Sequence, residues 1–480
     1  MNIALTLHIL GALLLFLAAA LLVPIPCALL VGDGTAPVFL VAALITAAVG
    51  GALFRGFRTG RELTIREGFA VVSFGWLAFA LFGALPYVLA GGIPSWIDAF
   101  FETMSGFTTT GSTILANIET LAPSLLFWRS FTQWLGGMGI IVLSLAILPM
   151  LGVGGMQLFK AEVPGPTADR LTPRIQDTAK LLWGVYVVLS ALETGLLMVG
   201  GMSLFDALNH TFTTMATGGF STRNASVAAF DSAYIDWVIT LFMFLAGINF
   251  TLHYLALRGR LGDFWRNEEF RFYLGLTAGG ALLLTLFNLS GPYAGFFDSL
   301  RYSAFQVVSI MTTTGYATAD YELWPVVCQY LLVVCMFIGG CAGSTGGGMK
   351  VARVLLLFKH AQVQLYRTIH PRAIKLVKLG DRAVDKEVMQ SILGFFALYM
   401  GIFVVGSLVM AALGMDLVSA GTAVITALGN VGPGLGSVGP VDHFAHVHPV
   451  GKLVLALCML LGRLELFTVL VLVFPSFWRK

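Results

Sequence analysis

Charge is what this sequence has least of. Only 11 per cent of its 480 residues are Asp, Glu, Lys or Arg, where a soluble globular domain carries roughly 25 per cent. So few charges cannot cover a soluble protein of this length, and an ordinary soluble enzyme is excluded. Cysteine is scarce too: Cys27, Cys328, Cys335, Cys341 and Cys458 all stand in apolar stretches. They form neither a disulfide framework nor a zinc-ligand spacing and read as small core residues. No strand–GxGxxG–helix pattern and no Walker sequence occurs, so any nucleotide control must come from a partner. What the chain has instead is 57 per cent hydrophobic residues and 55 glycines, the composition of a polytopic membrane protein whose helices pack closely or leave helical geometry.

A crossing helix needs roughly 20 mostly apolar residues. Ten stretches are read as spans: Ile3–Val31, Val38–Phe54, Gly68–Leu89, Leu125–Leu151, Lys180–Gly200, Trp237–Leu257, Arg271–Leu289, Trp324–Phe358, Val388–Leu413 and Val450–Phe474. The first has no Lys or Arg ahead of it and is far longer than a signal-peptide core, so it is expected to stay as a spanning helix. Between spans, Lys and Arg collect at Arg55–Glu67, Lys160–Lys180, Arg258–Arg271, Lys350–Glu387 and the terminal Arg479 and Lys480, which hold 23 of the 28. That side is expected to be cytoplasmic, with both termini on it. The other side sets Arg129, Arg223, Arg301 and Lys452 against twelve acids, a balance of −8, while the cytoplasmic side stands at +12.

Each outer connection holds a further apolar stretch too short to span: Trp96–Thr109, Phe205–Thr217, Phe296–Thr313 and Asp416–Leu428. Basic loops flank each unit on both sides, so each stretch reads as a re-entrant half-helix, allowed only where it is buried in protein or lines a watery cavity. Each opens at an acid, Asp98, Asp206, Asp298 or Asp416, expected to cap the helix. The turns that follow read Phe-Thr-Thr-Thr-Gly-Ser (107–112), Met-Ala-Thr-Gly-Gly-Phe (215–220), Met-Thr-Thr-Thr-Gly-Tyr (311–316) and Leu-Gly-Asn-Val-Gly-Pro (428–433). Aligning Gly111, Gly219, Gly315 and Gly432 gives separations of 108, 96 and 117 residues. The register of the fourth turn is the least constrained. The unit is span, half-helix, loop, span, repeated four times in one orientation, which implies an axis along the membrane normal.

Four such turns converging on an axis suit a cation. Backbone carbonyls can replace its hydration shell, glycine permits the left-handed geometry that turns successive carbonyls to one side, and each half-helix points its partly negative end inward. Glycine and threonine also serve close helix packing, but that explains one turn more readily than four at matching places. Below this level, Trp324–Phe358 has 35 residues, roughly 52 Å as one helix against a hydrocarbon core of roughly 30 Å. Its Gly-rich middle, residues 339–348, predicts a break or a packing kink. Arg463 stands inside the last span, where a charge faces a cavity or a partner. Glu465, two positions on, points to a different face, and Glu193 is another candidate partner.

At these residues the chain resembles the Trk/Ktr/HKT superfamily of potassium transporters, most of all its bacterial TrkH/TrkG branch. The stretches that carry the resemblance are Phe107–Ser112, Thr213–Ser226, Gly343–Lys350 and Gly462–Glu465, and it extends over essentially the whole chain. It implies an all-α fold of four parallel helix–re-entrant helix–helix repeats around a pseudo-fourfold pore, plus two N-terminal helices. The units would be 1–67 (N-terminal helices), 68–177, 178–268, 269–386 (with an intramembrane gating loop and a cytosolic helix) and 387–480. The ion-binding filter would be Thr109, Thr110, Gly111, Thr217, Gly218, Gly219, Thr313, Thr314, Gly315, Asn430, Val431 and Gly432. Glycine at every filter position is the family's potassium-preferring arrangement; sodium-favouring plant relatives have Ser where this chain has Gly111. The gate would comprise Gly343, Gly346, Gly347, Gly348, Lys350 and Arg463, the Arg projecting into the path below the filter.

The implied activity is potassium uptake across the bacterial inner membrane, passing rubidium too, with potassium as substrate, no cofactor and no enzymatic step. The implied partners are a cytosolic TrkA-like nucleotide-binding ring, membrane lipids and a second copy of the chain, with no nucleic acid. A proton- or sodium-coupled symporter is the alternative within this class. An intramembrane hydrolase using Ser344 is the alternative outside it, but one nucleophile explains neither the four turns nor the outer acids. His443, His446 and His448 are a metal site by residue type only and read as a solvated loop.

Overall fold

The computed structural model describes residues 2–59, 63–139, 175–380 and 382–479. The end of the Leu125–Leu151 span and most of the Lys160–Lys180 loop lie outside the described residues. The described residues are mostly helical, with one small antiparallel hairpin among them, Lys378–Leu379 paired with Arg382–Ala383. Among the described residues, six helices are long and apolar enough to cross a membrane: Ile3–Val31, Ala36–Gly56, Arg66–Leu89, Ala179–Val199, Glu268–Leu289 and Lys386–Ala412. Their outward faces leave Leu30, Leu44, Val199, Leu286 and Leu408 exposed, side chains that a bilayer solvates and water does not. The first two spans pack through small residues: a Cβ on Gly11 would lie 2.7 Å from the Gly50 carbonyl, so only glycine allows this approach.

Two spans read as continuous are broken. Trp237–Leu257 is Ala233–Ala246 followed by Phe250–Leu257, bent by 102°, and Val450–Phe474 is Pro449–Arg463 followed by Phe467–Val473, bent by 113°. The first break has a local cause in Asn249, whose side chain caps the second helix by accepting from Thr251 N at 2.8 Å. At the second, Glu465 and Leu466 have positive φ of 59° and 52°, and Phe467 N bonds Glu465 O across Leu466 in a tight turn, a conformation no helix continues through. The predicted break in 324–358 is present: Val326–Met336 ends, residues 337–350 form a loop, and Val351–Ile369 begins.

The four short stretches are helices Trp96–Phe107, Leu204–Met215, Phe296–Met311 and Leu417–Gly429. Their caps correct the sequence reading. Ser95 and Ser203 cap the first two, accepting from Asp98 N and Asp206 N, and Gly295 offers the third no side chain. Only Asp416 is itself a cap, accepting from Val418 N and Ser419 N. Ser-x-x-Asp is a capping-box pattern in which the first residue caps, so Asp98, Asp206 and Asp298 stand in the first turn, where they still complement the positive end.

The helix after each short helix packs against that short helix and against the next one. Pro123–Gly137 lies between the first and second, Ala233–Ala246 between the second and third, and Val326–Met336 between the third and fourth. Pro449–Arg463 lies between the fourth and the first and closes the circuit.

Candidate functional site

The four short helices end in one backbone conformation. Thr109, Thr217, Thr313 and Asn430 have φ of 54°, 53°, 61° and 54°, and two residues later Gly111, Gly219, Gly315 and Gly432 have φ of 87°, 74°, 82° and 103°. The shared pattern sets the register of the fourth turn, where Asn430 takes the place of Thr; Asn tolerates left-handed backbone. A Cβ on Gly111 would overlap the Gly218 carbonyl, one on Gly219 the Thr314 carbonyl, and one on Gly315 the Val431 carbonyl. One on Gly432 would stand 2.8 Å from the Thr110 carbonyl. Each turn therefore abuts the next in chain order, and the fourth returns to the first. Thr110, Thr314 and Val431 present carbonyls that accept no hydrogen bond within the described residues.

Side chains from behind hold the ring. Gln133 donates from Nε2 to Gly218 O at 2.7 Å and accepts from Phe220 N at 3.1 Å. Asn430 Nδ2 donates to Thr110 Oγ1 and to Met459 O, both at 2.9 Å, tying the fourth turn to the first. Arg129 and Glu102 form a buried pair at 2.6 Å, with exposures of 2 % and 0 %. The guanidinium also donates to Ser221 O at 3.0 Å and lies over Phe220, so it joins the first two turns. Arg129→Met leaves Glu102 a buried, uncompensated charge, a cost of about 3–5 kcal/mol. The expected result is a clear drop in the thermal midpoint of the detergent-purified protein; an unchanged midpoint would contradict this role.

Outside the ring, an open cavity of about 90 Å³ is lined by Gly111, Gly219, Gly315 and Pro433, with Arg129, Arg223 and Asp442 on its walls. All four outer bases are paired: Arg129 with Glu102, Arg223 with Asp206, Arg301 with Asp236, and Lys452 with Asp98. Glu322 and Asp442 stand near the last of the four turns, with Glu322 accepting from Gly436 N. Burial first and then Asp320 and Asp442 hold the Glu322 carboxyl above the ordinary carboxylate range, against that hydrogen bond. His443 and His448 cap Ala445 N and Val450 N, and His446 meets Ser437 Oγ.

Inside the ring, loop 337–350 crosses beneath the turns. Its stems pair through Gly339 N to Met349 O at 2.9 Å and Val351 N to Gly340 O at 3.2 Å. Thr345 donates from Oγ1 to Met215 O at 3.0 Å, and Gly347 N donates to Thr313 Oγ1 at 2.7 Å. A Cβ on Gly347 would lie 2.6 Å from Gly429 O, so only glycine lets the loop rise this close to the fourth turn. Lys350, 2 % exposed, donates from Nζ to Gly346 O.

Arg463 completes the circuit below the ring. It donates to Thr345 O at 2.7 Å, Gly136 O at 2.5 Å and Gly137 O at 2.9 Å, so it joins the loop to the end of helix Pro123–Gly137. Glu465 pairs with Arg353, and Glu193 is buried elsewhere. Lys350 and Arg353, counted from the sequence among the cytosolic bases, are buried at the loop. The filter candidates lie in the four turns, and Gly346, Gly347, Gly348, Lys350 and Arg463 lie in or against loop 337–350 beside them, whereas Gly343 meets the Asn249 side chain and accepts from Phe250 N at 3.0 Å. Gln133, Thr345 and Glu269 lie outside the predicted filter and gate sets: Gln133 is an uncharged residue among Phe131, Trp134 and Leu135, Thr345 stands inside the glycine run, and Glu269, in the first turn of Glu268–Leu289, stands among charged neighbours.

The chain matches the TrkH family, described as "Cation transport protein", over residues 35–480. It is 44% identical over 478 residues to the Trk system potassium uptake protein TrkH of Salmonella typhimurium, covering 98% of this chain and 99% of that protein. It is 35% identical over 480 residues to the Trk system potassium uptake protein TrkG of Escherichia coli, covering 98% of each. The fold is similar to the crystal structure of the potassium transporter TrkH from Vibrio parahaemolyticus, with a TM-score of 0.90 at 40% identity over all of both chains. The chain belongs to the TrkH family of cation transport proteins.

Proposed function

We propose that this chain carries potassium inward across the bacterial inner membrane through a pseudo-fourfold pore made of four repeats. In this reading the filter is Thr109–Gly111, Thr217–Gly219, Thr313–Gly315 and Asn430–Gly432. The observation that carries it is the closed circuit of turns, each glycine against the carbonyl that precedes the next turn's glycine. Carbonyls so placed replace water around a cation, and the half-helices direct their partly negative ends at it. Compared with filters of several stacked rings, one short motif per repeat discriminates less, so rubidium passes and some sodium leaks.

Loop 337–350 and Arg463 act as the gate. They cross the path beneath all four turns and bring Lys350, Arg463 and the positive end of helix Val351–Ile369 to it, which raises the barrier for cations. A TrkA-like nucleotide-binding ring docks on the cytosolic face, where Arg372, Lys375 and Lys378 are exposed, and opens the loop. The same basic face, with exposed Ile369 and Ile374, meets anionic lipid. The homodimer rests on the family resemblance alone. The test is rubidium uptake into proteoliposomes with competing unlabelled salts: potassium should suppress uptake at lower concentration than sodium does. Equal suppression by the two would remove the potassium assignment.

A further inference from the structure

Helix Val351–Ile369 starts without a cap of its own. Its N-cap residue is Lys350, a cation at the positive end of the helix, and it makes no side-chain cap hydrogen bond. The cap comes from another helix. Glu269, 9 % exposed in the first turn of Glu268–Leu289, accepts on Oε1 from Ala352 N at 3.1 Å. The same oxygen accepts from Ala342 N at 2.7 Å. Ala342 belongs to the loop and Ala352 to the helix that follows it, so one carboxylate oxygen clamps both. The preceding residue faces the cytosol: Glu268 pairs with Lys359 at 2.5 Å and accepts from Gly380 N, in the hairpin, at 2.7 Å.

We infer that Glu269 is a positioning residue that holds the loop under the ring and ties it to the cytosolic helix; this rests on the gate reading above. Hydrogen bonds to an ionised acceptor are the strong ones, and a carboxylate this buried is costly without its donors. A displacement of helix Val351–Ile369 therefore carries Ala342 with it or breaks one of these two hydrogen bonds. Glu268 grips that helix at Lys359, about two turns beyond its membrane-facing end, and also holds the hairpin, so force applied by a partner at the cytosolic surface has a short route to the loop.

The experiment measures rubidium flux in proteoliposomes of the full chain without any partner, for Glu269→Ala, Glu269→Asp and Glu269→Gln, each also combined with deletion of residues 346–348. Ala removes the acceptor, and Asp keeps the charge but is one methylene too short to reach both amides. Both should raise flux about fivefold or more, the scale of a coupling free energy between two sites. Gln keeps an oxygen at full reach and should stay within about twofold of the parent. In the loop-deleted chain none of the three should add to the flux. A role confined to folding or to helix charge is refuted by a rise with Asp and its reversal with Gln. Unchanged flux in both Ala and Asp, with the deletion still raising it, overturns the Glu269 assignment and leaves the gate standing. A deletion that fails to raise flux removes the gate reading itself, and an additive effect in the deleted chain shows that Glu269 does not act through the loop.

Discussion

Gly315→Ser is expected to abolish rescue of potassium-limited growth while the protein still accumulates in the membrane. Two effects add at this position. Its φ of 82° is left-handed, which costs an L-residue about 1–2 kcal/mol. The new side chain would also overlap the Val431 carbonyl and fall 2.8 Å from Pro433 Cδ. Because each turn abuts the next, moving Val431 displaces the fourth turn, and through Asn430 and Thr110 the disturbance reaches the first. Gly91→Ser is the control: its φ is 71°, but nothing lies within 4 Å, so it shares the strain without the ring and should keep rescue. Full rescue by Gly315→Ser would show that the four turns are packing devices.

Deleting residues 346–348 is expected to raise rubidium flux of the partner-free protein by at least about tenfold, which requires lowering the barrier by only about 1.4 kcal/mol. The deletion takes away the amide that bonds Thr313 and the carbonyl that holds Lys350, and the shortened loop no longer reaches the fourth turn. A fixed cation even about 10 Å from the path, at an effective dielectric constant of about 20, opposes a permeating ion by roughly 1.7 kcal/mol. Arg463→Ala should therefore act in the same direction with a smaller effect, since it also releases Thr345 O and the Gly136 and Gly137 carbonyls. Flux that stays level or falls in both variants would count against a gate at this place.

Much of this arrangement was legible from patterns that repeat. The turns at Gly111, Gly219, Gly315 and Gly432 could be aligned because their residue types recur, and the break in 324–358 because its length and glycine run admit no straight helix. The breaks at 247–249 and 464–466 were not legible. A single Gly247 within an apolar run is ordinary in a membrane helix, and nothing in Leu464-Glu465-Leu466 announces positive φ. Long-range partners are hidden for a plainer reason: a buried Arg463 suggests an acidic partner, whereas it binds the Thr345, Gly136 and Gly137 carbonyls, a group every residue carries. Glu269 was hidden by its neighbours, since Glu268, Arg266 and Arg271 make the stretch look like a solvated connection.

The account stands on an uncoupled, potassium-selective path through the ring of turns. The most direct test is the reversal potential of the loop-deleted chain in planar bilayers under separate potassium, sodium and proton gradients. The account predicts that it follows the potassium gradient, shifts weakly with sodium and ignores protons. A reversal potential that moves with the proton or sodium gradient as it does with potassium would contradict it and establish coupled transport instead.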